Sequence, residues 1–293
     1  MTTPVHPEGA LEEVPPIVSA EWLAGRLAEG DARVRVVDVR WYLDGRSGRE
    51  AYEAGHIEGA VFVDLDEVLA APATAAEGRH PLPPPEVFTA GLSAAGIADH
   101  DITIAYDDLG GMVAGRLVWM LRILGLPGAV LDGGLPAWSG PLATGPGPGP
   151  TADATTREVR PWPADAMATA DEVAAAVAAG VVVVDARAPE RYRGDTEPVD
   201  PRAGHIPGAV NLPFATNLDD DGRFRPFDEL ADTYRRSGLD GDAIVYCGSG
   251  VSACHHAVAV EAATGARPRL YVGSWSQWSS DPDRPAATGP EPG

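Results

Sequence analysis

Short runs of β-branched residues recur along the chain, bounded by turn formers and separated by amphipathic stretches. In the C-terminal half, residues 181–185, 209–212, 243–246 and 269–272 read as buried strands. Between them, residues 169–179, 227–237 and 251–263 carry helical periodicity, with Thr169 and Asp228 as start signals. Alternation of strand and helix predicts an α/β fold, a mainly parallel sheet with helices on both faces. Such sheets bind ligands at the carboxyl ends of their strands. That directs attention to the loop after Tyr246.

The pattern occurs twice. Val34-Arg-Val-Val-Asp38-Val-Arg40 is echoed by Val182-Val-Val-Asp185-Ala-Arg187, and Gly55-His56-Ile57-Glu-Gly-Ala60 by Gly204-His205-Ile206-Pro-Gly-Ala209. Ile104-Ala-Tyr106-Asp107 matches Ile244-Val-Tyr246-Cys247, and the block ending at Trp138 matches that ending at Trp278. The four blocks keep their order at offsets of 147, 149, 140 and 140 residues, which predicts a tandem duplication. A Gly/Pro run over residues 140–150, expected to form neither helix nor strand, marks the join. The expected domains are residues 1–145 and 146–293.

Composition narrows the function classes. The 293 residues, 44% hydrophobic and 22% charged, describe a globular chain long enough for two domains. With 22 basic against 43 acidic residues the net charge is −21, so nucleic acid and anionic membrane surfaces are not expected partners. The longest uncharged apolar run, residues 173–184, is twelve residues long, short of the ~20 that span a bilayer. The first residues have neither a basic start nor an apolar core, so no secretory signal is expected. Only Cys247 and Cys254 are present. Helical spacing would set them roughly 10 Å apart, beyond disulfide reach, which predicts at least one free thiol and a reducing, cytoplasmic setting.

The loop after Tyr246 reads Cys247-Gly248-Ser249-Gly250-Val251-Ser252-Ala253. A thiol at a strand end, two glycines and a following helix form an anion nest whose backbone N–H groups can hold negative charge on sulfur. This favours a nucleophile over a small buried core cysteine. Two rival motifs fail. Gly248-x-Gly250-x-x-Ala253 fits a dinucleotide fingerprint, but the following strand ends without the acid that would hold a ribose. A phosphatase loop of the Cys-x5-Arg type needs Arg where Ala253 stands.

On these motifs, with Trp41-Tyr-Leu43 and Leu131-Asp-Gly-Gly134, the chain resembles the two-domain rhodanese-type sulfurtransferases, closest to 3-mercaptopyruvate sulfurtransferases, over residues 17–278. The resemblance implies tandem rhodanese-like domains, the first catalytically degenerate because Asp107 replaces the cysteine. It implies no cofactor and no metal. The reaction would carry sulfur from a small donor, through a Cys247 persulfide, to a thiol or cyanide acceptor, thioredoxin among the candidates. Ser249 would work with Asp66 and His80 of the first domain, Asp64 being the neighbouring alternative to Asp66. Donor binding would fall to Arg191 and Arg202, with Gly248, Gly250, Val251 and Ser252 of the loop. Neutral residues at 248 and 249 favour mercaptopyruvate over dianionic thiosulfate. The alternatives are a thiosulfate:cyanide sulfurtransferase and a sulfur carrier with little turnover. One departure from relatives is Val272, where an Asp usually stands.

Other conspicuous residues have plainer readings. Asp38 and Asp185, with Arg40 and Arg187, organise turns. His56 and His205 are structural, since they recur in the copy without a cysteine. Adjacent His255 and His256 point about 100° apart on a helix, which disfavours a metal site. Trp138, Trp275 and Trp278 are packing residues, and Asp219–Asp221 a solvated turn.

Overall fold

A computed structural model describes residues 12–148 and 157–293. The N-terminal residues read for a signal, and the end of the Gly/Pro run at 149–150, lie outside the described residues.

Two parallel sheets form the frame. The first has the strand order Ile17–Val18, Gly128–Leu131, Ile102–Tyr106, Val34–Asp38, Val61–Phe62. The second runs Arg269–Leu270, Ala243–Tyr246, Val182–Asp185, Val210–Asn211, and Met167 bridges to Leu270 where the first sheet has Ile17–Val18. Central strands are buried on both faces, which is why they read as unbroken apolar runs. The helices Ala170–Ala178, Phe227–Arg236 and Ser252–Thr264 fall where the periodicity predicts them. Thr169 closes a capping box with Glu172. Asp228 is not the cap of its helix; that place is Pro226, whose fixed φ starts the turn, and Asp228 lies in the first turn. Within the Gly/Pro run, Leu142–Ala143 does form a short strand, antiparallel to His56–Ile57, because these two residues keep free N–H groups and ordinary backbone preferences.

The repeated motifs are structural fasteners at the strand ends. Asp38 pairs with Arg40 at 2.7 Å and Asp185 with Arg187 at 2.6 Å. Each arginine also donates to the carbonyl of the glycine that opens the Gly-His-Ile block, Gly55 or Gly204. The hydroxyls of Tyr106 and Tyr246 accept from the N–H of Ile57 and Ile206. His56 and His205 stack on Tyr52 and Tyr192 and bond their carbonyls through Nδ1 at 2.8 Å. Trp275 and Trp278 are buried, Trp138 is partly so, and Asp219–Asp221 is exposed.

The halves meet through the helices Ala114–Ile123 and Ser252–Thr264. Gly115 approaches its neighbour so closely that a Cβ there would lie 2.6 Å from the Cα of His255. A helix apolar on all sides needs such two-sided cover, and residues from Ala253 to Val260 are all buried. His255 stacks on Phe224 with ring centroids 4.8 Å apart, and His256 lies edge-on to Tyr234. Among the described residues no group of three or more His, Cys, Asp or Glu side chains converges, and no helix is long and apolar enough to cross a membrane.

Burial pushes the pKa of His255 down to about 4 and that of His256 to about 3. The folded state therefore refuses protons that the unfolded chain accepts below pH ~6.5, and stability falls as pH drops through that window. At pH 5 the penalty from His255 alone is about 2 kcal/mol. His255→Phe keeps the stack and removes the proton acceptor. Urea unfolding at pH 7 and pH 5 should show the variant losing about 2 kcal/mol less than wild type; equal losses would place the acid sensitivity elsewhere.

Candidate active site

Cys247 follows the strand Ala243–Tyr246 directly and is 2% exposed. The loop's carbonyls are tied back to the helix Ser274–Ser280: Trp275 N–H donates to Cys247 O at 3.0 Å, and Ser276 N–H to Gly248 O at 2.9 Å. Cys247 N–H donates to the hydroxyl of Ser274, which donates in turn to Tyr271 O. Ser274, at φ 52°, is the one non-glycine residue with positive φ among the described residues, a strained conformation kept at the loop's base. Gly250 takes φ 79° and turns its N–H onto Cys247 Sγ at 3.1 Å; a Cβ there would lie 2.6 Å from Val272 O. Val251, buried, and Ser252, half-buried, lead into the helix Ser252–Thr264, whose N-terminus faces the loop.

The first half displays what such a loop binds. The Asp107 carboxylate, fully buried, accepts from the N–H groups of Leu109, Gly111, Val113 and Ala114 at 2.7–2.9 Å. Burial raises its pKa, and those four donors oppose the rise. An anion sits where the second half has sulfur.

The first half also delivers side chains to the cysteine loop. His80 Nδ1 lies 2.8 Å from Ser249 Oγ, and His80 Nε2 lies 3.7 Å from Asp66 Oδ1. Trp41 donates from Nε1 to Asp66 Oδ2 at 2.9 Å and stands edge-on to the imidazole. Asp64 does not join them: its carboxylate caps the N–H groups of Asp66 and Glu67. Burial, then the cations Arg116 and Arg79, push the His80 pKa down to about 3. The ring is therefore neutral at pH 7. Asp66 beside Nε2 favours the tautomer with its proton there, which leaves Nδ1 to accept from the Ser249 hydroxyl.

Of the two arginines singled out in the sequence, one reaches the loop. Arg191, on the helix Pro189–Arg193, pairs with Glu197 at 2.6 Å and Asp200 at 3.0 Å, with Nη1 3.3 Å from the point where a Cβ on Gly248 would stand. Arg202 does not; its guanidinium donates to the carbonyls of Trp278, Ser279, Asp281 and Arg284, at the end of the helix Ser274–Ser280. Trp278 O and Asp281 O also accept the N–H groups of Asp281 and Arg284, and Arg202 supplies the further donors at this helix end.

Two arginines not singled out are at the site instead. Arg79, next to His80, places Nη2 2.9 Å from the same Cβ point on Gly248. Arg116 is fully buried without a carboxylate partner among the described residues. It donates to Gly250 O at 3.1 Å, His80 O at 3.0 Å and the carbonyls of Leu69 and Pro81, fastening the histidine segment to the cysteine loop. Its sequence signal is a lone cation opening the apolar run Leu117–Leu121. Cys254 donates to Gly250 O at 3.0 Å, and burial pushes its thiol up to about 12, which favours the protonated form.

The rhodanese-like domain model matches residues 19–141 and again 169–281. A Mycobacterium tuberculosis protein whose name places it among thiosulfate sulfurtransferases is 42% identical over 290 residues, covering 93% of this chain and 97% of its own. A Pseudomonas aeruginosa protein named as a 3-mercaptopyruvate sulfurtransferase is 40% identical, covering 93% and 98%. The crystal structure of SseA from Escherichia coli, a 3-mercaptopyruvate sulfotransferase, superposes with a TM-score of 0.74 at 30% identity over 90% of this chain and all of that one. The chain belongs to the rhodanese family. It is a sulfurtransferase with two rhodanese domains.

Arg116→Met would remove the guanidinium that bonds the buried carbonyls of Leu69 and His80 and would cut its tie to Gly250 O, a loss of about 2–4 kcal/mol. Arg116→Lys, which keeps a charge but fewer donors, should lose less. Denaturant unfolding of the three proteins checks the order; a methionine variant as stable as wild type would mean the carbonyls find water.

Proposed function

We propose that Cys247 is the nucleophile of a two-step transfer that prefers 3-mercaptopyruvate as donor. The observation that carries this is the Cys247 sulfur accepting the Gly250 N–H inside a loop whose first-half counterpart holds a carboxylate. In the first step the Cys247 thiolate attacks the donor sulfur, the carbon–sulfur bond breaks, and its electron pair leaves on carbon as the enolate of pyruvate. The thiol proton stays within the site or passes through Ser249 and His80, with Asp66 orienting the ring, to quench the enolate. In the second step an acceptor thiolate or cyanide attacks the outer sulfur of the persulfide, and the Cys247 thiolate departs. Loop amides hold the anionic sulfur between the two steps.

Arg191 meets the donor carboxylate in this reading, assisted by the small residues Gly248 and Gly250 and by Val251 and Ser252. Arg202, bound to four carbonyls, has no such part. The matching strand order of the sheets supports a tandem duplication in which the first copy, with Asp107, has lost the nucleophile. Two free buried thiols support a reducing, cytoplasmic setting, and a thiol of the thioredoxin kind is the acceptor this reading names. Thiosulfate is the second reading, because two guanidiniums stand over Gly248 although the loop itself is neutral.

Intact mass after donor addition should show one added sulfur in wild type and in Cys254→Ser, and none in Cys247→Ser. Steady-state rates with mercaptopyruvate and with thiosulfate then rank the donors. Sulfur retained by Cys247→Ser would overturn the assignment, and a higher kcat/KM for thiosulfate would overturn the donor preference.

A further inference from the structure

We propose that residues 285–292 form a positioning strap for Arg191, fixing the short helix that carries this arginine so that its guanidinium meets the cysteine loop. The inference rests on the part given to Arg191 in the reading above and adds a segment that lies outside the pocket.

The strap is a further block of the internal repeat. Pro285-Ala-Ala287-Thr-Gly289-Pro-Glu-Pro292 answers Pro141-Leu-Ala143-Thr-Gly145-Pro-Gly-Pro148 at an offset of 144, and six of the eight residues are identical. The copies also fold alike. Trp138 Nε1–H donates to Pro141 O at 3.2 Å, and Trp278 Nε1–H to Pro285 O at 2.7 Å. Ala143 pairs antiparallel with His56, and Ala287 with His205. Gly145 N–H donates to Glu53 O and Gly289 N–H to Arg193 O, both at 2.8 Å. These two glycines take φ of 90° and 92°, and a Cβ on either would meet nothing within 4 Å. The Gly/Pro run at the join and the segment after Trp278 are therefore one structural element used twice. Its prolines hold it extended, and its spaced N–H groups fasten it.

What the strap holds differs between the halves. In the first half it fastens the helix Gly48–Ala54, which belongs to the copy without the cysteine. In the second it fastens Pro189–Arg193, the helix of Arg191. Five residues are too few for a helix to hold itself, so its last carbonyls are met from outside. His205 Nδ1 bonds Tyr192 O at 2.8 Å, and Gly289 N–H bonds Arg193 O. The strap secures that histidine as well. Ala287 and His205 exchange both backbone N–H···O bonds at 2.9 Å, and Pro292 O lies 3.3 Å from His205 Nε2. Thr288 covers the helix end, with Cγ2 3.0 Å from the point where a Cβ on Gly194 would stand. Arg191 lies two residues before the fastened carbonyl, so a shift of the helix end is carried straight to its guanidinium. A misplacement of about 1 Å is enough to weaken such a contact severely.

The test uses matched substitutions in the full chain. Gly289→Val disfavours the left-handed backbone of the second strap, and Gly145→Val does the same in the first. Gly289→Val should raise the KM for 3-mercaptopyruvate on the order of fivefold with kcat little changed. Gly289→Ala should do the same in milder form, and Gly289→Asn, which tolerates a positive φ, should recover most of the loss. Gly145→Val should lower stability to urea by a like amount and leave KM at the wild-type value. Hydrogen exchange over residues 189–194 should quicken in Gly289→Val and not in Gly145→Val. Unchanged KM or unchanged exchange in Gly289→Val, or KM raised equally by both valines, would overturn the strap. Arg191→Ala separates the two readings. A raised KM there beside an unchanged one in Gly289→Val overturns the strap alone. A wild-type KM in Arg191→Ala overturns the donor role of Arg191, and the strap's part in the reaction with it.

Discussion

Gly78 of the first half lies against the backbone of the second so closely that a Cβ would stand 2.6 Å from Gly273 O and 2.7 Å from Ser276 Oγ. Its φ of 91° belongs to the left-handed region that glycine enters at low cost. The next two residues are Arg79 and His80, so this contact sets where a guanidinium and an imidazole meet the cysteine loop. Around it, Ser276 Oγ accepts from Arg79 N–H while Ser276 N–H donates to Gly248 O. One serine thereby joins the histidine segment and the cysteine loop. The Ser249–His80 pair, which joins the two halves, exists only while they stay docked.

The interface also decides the electrostatics. Arg116 enters from the first half without an acidic partner and spends its donors on carbonyls of both halves. A buried cation of this kind is costly unless its hydrogen bonds are satisfied. After burial itself, its field helps to keep His80 uncharged, so the imidazole can accept from Ser249. Asp107 shows the other side of the same design. In the half that has Asp107 in place of the cysteine, a carboxylate fills the nest and ties the loop with four hydrogen bonds.

What the sequence revealed follows from how local each feature is. Strands, helices and the Cys247 loop are written in contiguous residues, and their placement matches the pattern to within a few positions. Asp66 and His80 were legible only through family resemblance, and the structure brings His80 to Ser249 and Asp66 to the far side of the His80 ring. Arg202 was assigned a donor contact by family resemblance alone, whereas the end of the helix Ser274–Ser280 claims the side chain. Arg79 was overlooked although it adjoins His80, since a cation's usefulness depends on what stands opposite it. Here that is Gly248, far away in the chain, and no local periodicity encodes the approach.

The docking of Gly78 against Gly273 holds the histidine segment on the cysteine loop. Histidine ring resonances of wild type and Gly78→Ala, followed by NMR from pH 7 to pH 5, measure it directly. In wild type the His80 ring should stay uncharged throughout, in keeping with a pKa near 3. In Gly78→Ala the added methyl must lift the segment off Gly273, rehydrating the ring and moving its midpoint toward about 6.5. A folded Gly78→Ala protein whose His80 still refuses protons at pH 5, with sulfur transfer at the wild-type rate, would contradict it.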